Sequence, residues 1–240
     1  MMTAPVLVLI HSPLVGPLTW EPAADRLQAL GYQVVVPSLH GAVGTSQPYY
    51  RKLASRVAQV IDEDPSALAG PLTLVGHSGA GALLPAVAEG TGTPVEAAVF
   101  VDAILPHPGT SWFDTAPEAL RTQLRELASG GWLPPWHQWF PPEAVAAELP
   151  DPGLRARFVA ELPRPPLAYF EERAPVVERW PPPRCGYLQL SDAYKEVADE
   201  AERRGWPTLR EPASHLAMLT RPEAVSGMLD RLVTARTIRG

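Results

Sequence analysis

A chain of 240 residues with 46% hydrophobic and 19% charged residues has the make-up of a soluble globular enzyme. It is long enough for one large domain with a sizeable core. Its net charge of −6, with arginines scattered rather than in runs, gives no footing for a nucleic-acid partner.

The N-terminus shows no charged n-region or cleavage site, so no signal peptide is expected and the protein is placed in the cytoplasm. Pro5-Val6-Leu7-Val8-Leu9-Ile10 is a continuous apolar run of the kind that forms a buried parallel strand. Trp20 to Leu30 follows with helical spacing, its apolar face carrying Trp20, Ala23, Ala24, Leu27 and Leu30, and stops at Gly31. Gln33 to Val36 reads as a second strand ended by Pro37. Tyr49 to Ile61 is a helix with Leu53, Val57, Val60 and Ile61 inward. Leu72 to Val75 is a third strand, followed by a glycine-rich turn and a helix over Ala82 to Glu89. Ala97 to Val101 is a fourth strand and Gly186 to Leu190 a fifth. A helix over Ala193 to Arg204, a short strand Thr208 to Arg210 and a helix over Glu223 to Ala235 close the chain. No apolar stretch reaches the ~20 residues that span a bilayer. The single cysteine, Cys185, forms no internal disulfide, belongs to no metal motif and reads as a small buried residue.

Strands alternating with helices predict an α/β fold, a mostly parallel sheet of about six strands flanked by helices. The alternation breaks between Leu105 and Arg184. Much of the chain's unusual proline content falls there, in Pro134-Pro135, Pro141-Pro142, Pro165-Pro166 and Pro181-Pro182-Pro183. Residues 1–104 and 185–240 therefore form the expected core, and 105–184 a helical Pro/Trp-rich cap over the carboxyl ends of the strands, where ligands bind in open α/β sheets. Short helices are expected near Pro117–Ala128 and Pro142–Leu149, and Gly130-Gly131 is a candidate hinge. The cap's aromatics, Trp112 and Trp136 among them, either staple this lid or line an apolar pocket with His137.

Gly76-His77-Ser78-Gly79-Ala80-Gly81 lies between a strand and a helix, the layout of a nucleophile elbow. A serine hydroxyl needs a base, and the base an orienting acid. His215, after the last strand, is the expected base. His77, adjacent to the serine on a sharp turn, points away and is a packing residue; His11 is structural. Asp102, ending the fourth strand, is the favoured acid. Asp192, after the fifth, is the alternative, with Asp114 and Glu118 behind them.

With His11-Ser12-Pro13, Trp20-Glu21-Pro22, the elbow and His215-Leu216-Ala217-Met218, the chain resembles the α/β-hydrolase superfamily. In plan it is similar to the small single-domain methylesterases and hydroxynitrile lyases. The resemblance implies a serine hydrolase acting on an ester or lactone of an apolar small molecule, without cofactor or metal. It also implies two backbone N–H donors for the oxyanion. Gly79 supplies one. The other falls on Pro13, which has no N–H, and loss of one such donor costs about 2.7–4 kcal/mol. Either the Ser12 hydroxyl or Leu14 replaces it, or the chemistry is not hydrolytic. The lyases carry a lysine directly after the catalytic histidine; here Leu216 stands there, which disfavours cyanohydrin cleavage. A lyase, cyclase or isomerase with His215 as acid/base, and a non-enzymatic binding protein, are the competing readings.

Overall fold

The computed structural model describes residues 5–44 and 46–235. Six strands form one all-parallel sheet: β1 (Val6–Ile10), β2 (Gln33–Val35), β3 (Leu72–His77), β4 (Val95–Val101), β5 (Arg184–Gln189) and β6 (Thr208–Arg210). Their order is β2-β1-β3-β4-β5-β6. Parallel strands need crossovers, and those between β1, β2 and β3 run through α1 (Glu21–Ala29) and α2 (Tyr49–Glu63). After β3 the chain makes a 3-10 turn, Ser78–Leu83, before α3 (Leu84–Gly90). The α-helix expected from Ala82 thus begins two residues later.

The strands alternate sides, as period-2 geometry requires. Val6, Val8, Ile10, Leu72, Leu74, Ala98, Phe100 and Tyr187 pack with α2 and α3 on one face. Leu7, Leu9, Val75, Val99, Val101 and Leu188 pack on the other, against α1 and the C-terminal helix. Both faces are covered, which is why β1 reads as an unbroken apolar run. Leu30 departs from its expected inward face. It lies in the helix's C-cap and is 56% exposed.

Between β4 and β5 the chain folds into α4 (Trp112–Thr115), α5 (Glu118–Leu127), α6 (Pro142–Glu148), α7 (Pro152–Ala160) and α8 (Leu167–Glu171). The first and last two of these are not visible in the sequence pattern. Gly130-Gly131 forms a tight two-residue turn rather than a loose joint. Both residues have positive φ, and Ser129 and Trp132 exchange two backbone hydrogen bonds across it. The segment is tied to the sheet domain by carboxylates. Glu172 accepts hydrogen bonds from Tyr49 N and Tyr50 N at the start of α2 (2.7 and 3.1 Å), where a negative charge also suits the helix dipole. Glu161 accepts from Leu18 N at 3.1 Å.

The chain ends with α9 (Lys195–Arg203), β6, α10 (Ala217–Thr220) and α11 (Pro222–Thr234). Among the described residues no helix is long and apolar enough to cross a membrane.

Candidate active site

Ser78 and Asp102 are the two non-glycine residues at positive φ among those described, at 55° and 44°. Such conformations are costly and persist only where the surroundings impose them. At Ser78 the cause is the abrupt reversal from β3 into the 3-10 turn. The turn packs tightly on the segment after β4. Ile104 N donates to Ser78 O at 3.2 Å. A Cβ on Gly81 would lie 2.0 Å from the Ile104 carbonyl oxygen, so only glycine fits there. The reversal lifts the Ser78 side chain out of the sheet's carboxyl edge.

Asp102 follows β4 directly and is completely buried. Burying a carboxylate requires partners, and it has four. Oδ1 accepts from Leu190 N (2.8 Å) and Ser191 N (3.0 Å). Oδ2 accepts from Ser191 Oγ (2.6 Å) and from His215 Nδ1 (2.7 Å). Three of the four donors come from the loop after β5. Tyr187 braces the same turn, its hydroxyl donating to Ala103 O (2.8 Å) and accepting from Ala103 N (3.1 Å). With Nδ1 committed to Asp102, the His215 ring presents Nε2 to the cavity.

Asp192 takes no part in this arrangement. It starts a 3-10 turn, Asp192–Tyr194, and is exposed. Asp114 serves elsewhere, in a capping box with Ser111 at the start of α4. Glu118 sits in the first turn of α5.

His77 Nε2 donates to His215 O at 3.0 Å, and its ring lies 4.5 Å from the His215 ring. It holds the His215 backbone from behind. His11 Nε2 accepts from Leu39 N (3.1 Å) while Nδ1 donates to Ser12 O (2.8 Å), which fixes the loop after β1. Burial pushes the His11 imidazole down to about 4. Burial first, and His215 second, holds His77 well below its ordinary value. Both rings fold neutral. Between the unfolded value near 6.5 and the folded His11 value of about 4, the unfolded chain binds protons that the folded chain refuses. Stability is therefore full above pH 6.5 and declines below it, His11 alone accounting for about 3 kcal/mol by pH 4. Urea titrations at pH 7 and 5 are expected to show this loss, and His11→Gln to flatten it; an unchanged slope in that variant would remove His11 as a cause.

Ser12, Leu14, Val15, His77, Ser78, Trp136, His215 and Leu216 enclose a cavity of about 10 Å³. That is room for one water at most. Ser12 is buried, its hydroxyl accepts from Leu14 N at 3.3 Å, and it lies 3.1 Å from where a Gly79 Cβ would stand. Pro13 adjoins the same point, with its Cδ at 3.7 Å.

Two residues expected at the substrate do not line this cavity. Trp112 packs on Phe113 and Phe170 (ring centroids 5.8 and 5.3 Å) within the inserted helices. His137 lies next to Trp136 on a 3-10 turn, with a buried Nδ1 that is unpaired among the described residues. Trp136 does reach the cavity, 6.4 Å from the His215 ring, and is backed by Phe140 and Phe158. A wider, open depression of about 550 Å³ lies between α2 and the loop after β2, lined by His40, Arg51, Lys52 and Arg56. Among the described residues it contains no serine–histidine–carboxylate grouping, and its greater volume does not make it the chemical centre. Cys185 is half-buried, its thiol raised to about 12 by burial, and so is an unreactive packing group.

The residue that sequence reasoning missed is Tyr194. Its hydroxyl lies 3.3 Å from Ser78 Oγ, and its ring stacks on His215 at 5.2 Å, inclined by only 3°. The expected helix from Ala193 absorbed it as an ordinary helical residue; the actual 3-10 turn aims it inward.

A parallel α/β sheet bearing a strained serine after a central strand, beside a carboxylate-bound histidine, defines a class of enzymes built on one scaffold. The alpha/beta hydrolase family matches residues 7–227, and the chain belongs to it. No curated protein matches the sequence. Among solved structures, it is similar to an extracellular α/β-hydrolase from a Paenibacillus species, described as sharing structural and functional homology with tobacco salicylic acid binding protein 2. That match has 19% identity over 96% of this chain and 100% of that one, with a TM-score of 0.76. A pyrethroid hydrolase from Sphingobium faniae JZ-2 matches at 18% identity over 99% and 100%, TM-score 0.72. Tomato methylketone synthase I, as a complex with β-ketoheptanoate, matches at 14% over 95% and 97%, TM-score 0.67. Identities this low establish the fold, and similar folds host different chemistries.

Proposed function

We propose that the protein is a serine hydrolase that cleaves an ester or lactone of an apolar small molecule. The observation that carries this reading is the 2.7 Å bond from His215 Nδ1 to a fully buried Asp102, beside a serine held at positive φ. Asp102 fixes the tautomer in which Nε2 accepts a proton. His215 takes the proton of Ser78 as Oγ attacks the carbonyl carbon, and returns it to the leaving alcohol as the C–O bond breaks. Water then releases the acyl group by the same route reversed.

The oxyanion falls between Gly79 N–H and the Ser12 hydroxyl. Because Ser12 Oγ already accepts from Leu14 N, its own proton is available for donation. A side chain thus stands in for the N–H that Pro13 lacks. Leu14, Val15, Trp136 and Leu216 make the surroundings apolar, which suits a poorly polar substrate. Admitting one requires side chains around the 10 Å³ cavity, Trp136 foremost, to move aside. The pyrethroid hydrolase supports the hydrolytic reading by analogy of fold.

Pro13 and the likeness to a methylketone synthase favour a second reading, in which His215 acts as acid/base without an acyl-enzyme. Labelling separates the two. A fluorophosphonate is expected to add covalently to Ser78, and acyl esters to give burst kinetics. Failure of both, with turnover of some other substrate class intact, would overturn the hydrolase in favour of the second reading.

A further inference from the structure

We infer that Tyr194 is a catalytic hydrogen-bond donor to the leaving-group oxygen, and that it fits the site to esters of unactivated aliphatic alcohols. The inference rests on the hydrolase reading and deepens it.

Ser78 follows β3. Ser12 follows β1, on one side of β3, while Tyr194 follows β5, on the other side beyond β4. Ser12 and Tyr194 therefore approach the serine from opposite flanks. The tetrahedral intermediate carries two oxygens besides Ser78 Oγ. The one that becomes the oxyanion turns to Gly79 and Ser12. The other, the alkoxy oxygen, is left on the flank of His215 and Tyr194.

Tyr194 is placed to meet it. Its hydroxyl is 3.3 Å from Ser78 Oγ, so an oxygen on the carbon bonded to Oγ comes within its reach. Its ring stacks on that of His215 at 5.2 Å, which sets phenol against imidazole at the serine. Tyr194 is half-buried. Burial, with Asp102 adding to it and the Ser78 bond opposing, raises the phenol to about 12. Tyr194 thus remains a neutral donor at physiological pH. Before substrate binds, its hydroxyl holds the serine, occupying the place the leaving oxygen will take.

The proton balance is unaffected. The proton that leaves Ser78 goes to His215 and then to the alkoxide; Tyr194 keeps its own and only stabilises charge building on oxygen as the C–O bond lengthens. That help matters most when the departing alcohol is a poor leaving group and carries much charge. It matters least for an aryl or nitrophenyl ester, whose leaving oxygen needs little support.

The test is a series of esters sharing one acyl group, with alcohols of rising pKa, assayed with wild-type enzyme and Tyr194→Phe. The expected result is a fall of about tenfold or more in kcat/KM for the aliphatic esters and of less than about twofold for the 4-nitrophenyl ester, a steeper dependence on leaving group. The rate of fluorophosphonate labelling of Ser78, which expels fluoride, is expected to stay within about twofold of wild type. A fall of the same size across the series, with labelling slowed alike, would show that Tyr194 merely packs against His215 and would overturn the inference. So would unchanged kinetics throughout. If wild-type enzyme hydrolyses no ester through Ser78, the underlying hydrolase reading fails as well, a result distinct from a flat series in an active enzyme.

Discussion

Replacing Asp102 with asparagine is expected to lower ester turnover by about 10⁴-fold while leaving the protein folded. Asparagine tolerates the positive φ that this position requires, as aspartate does. Its amide oxygen still accepts from Leu190 N and Ser191 N. The amide nitrogen then replaces Oδ2, the atom that faces Ser191 Oγ and His215 Nδ1. The serine hydroxyl can rotate to accept. The imidazole can satisfy a donor only by moving its proton to Nε2, the nitrogen that must accept from Ser78. The loss is thus one of tautomer rather than of fold. Asp102→Ala is expected to behave differently, adding a destabilisation of about 3 kcal/mol or more because it strands buried N–H groups and places alanine at positive φ. Asp192→Asn, at an exposed site, is expected to change turnover by less than about twofold. Steady-state rates and urea titrations of the three variants decide the matter. Loss of activity in Asp192→Asn, with Asp102→Asn unaffected, would exchange the roles of the two aspartates.

The contest between these aspartates marks the limit of what the sequence discloses. Both satisfy the order serine, acid, histidine, and both follow a strand. What separates them is tertiary. The loop after β5 turns Leu190 N, Ser191 N and Ser191 Oγ toward Asp102, and its 3-10 turn carries Asp192 outward. The same turn hides Tyr194, since periodicity cannot tell an inward-aimed residue before a helix from the helix itself. Elements whose local chemistry dictates their shape were legible. The doubly covered strands read as apolar runs, and the small residues around Ser78 read as an elbow because a backbone carbonyl 2.0 Å from a Gly81 Cβ allows nothing larger. Within 105–184 the prolines interrupt every period, so composition cannot assign faces. Trp112 and Trp136 look alike in sequence, yet one packs on Phe170 and the other borders the cavity.

The strain at Ser78 gives the other large expectation, because it separates catalysis from stability at one residue. Ser78→Ala is expected to cost about five to six orders of magnitude in turnover, the loss seen when a nucleophile is removed from a working triad. Its thermal midpoint is expected to move little, since alanine inherits the same backbone at φ 55°. Ser78→Gly is expected to lose as much activity and gain stability. A non-glycine residue in the left-handed region costs about 1–2 kcal/mol. Glycine escapes that cost but loses about 0.5–1 kcal/mol in chain entropy. The net gain, of order 1 kcal/mol, corresponds to a rise of about 2–4 °C for a domain of this size. Calorimetry of the three proteins, with rates on a single ester, measures both effects. A glycine variant less stable than wild type would mean that the side chain, through its bond to Tyr194, contributes more than the strain costs. Persistent turnover in Ser78→Ala would remove the serine from the chemistry and leave His215 as the acting group. The expected pairing, activity lost and stability gained, is what a site produces when its nucleophile is held in place by structure that would relax without it.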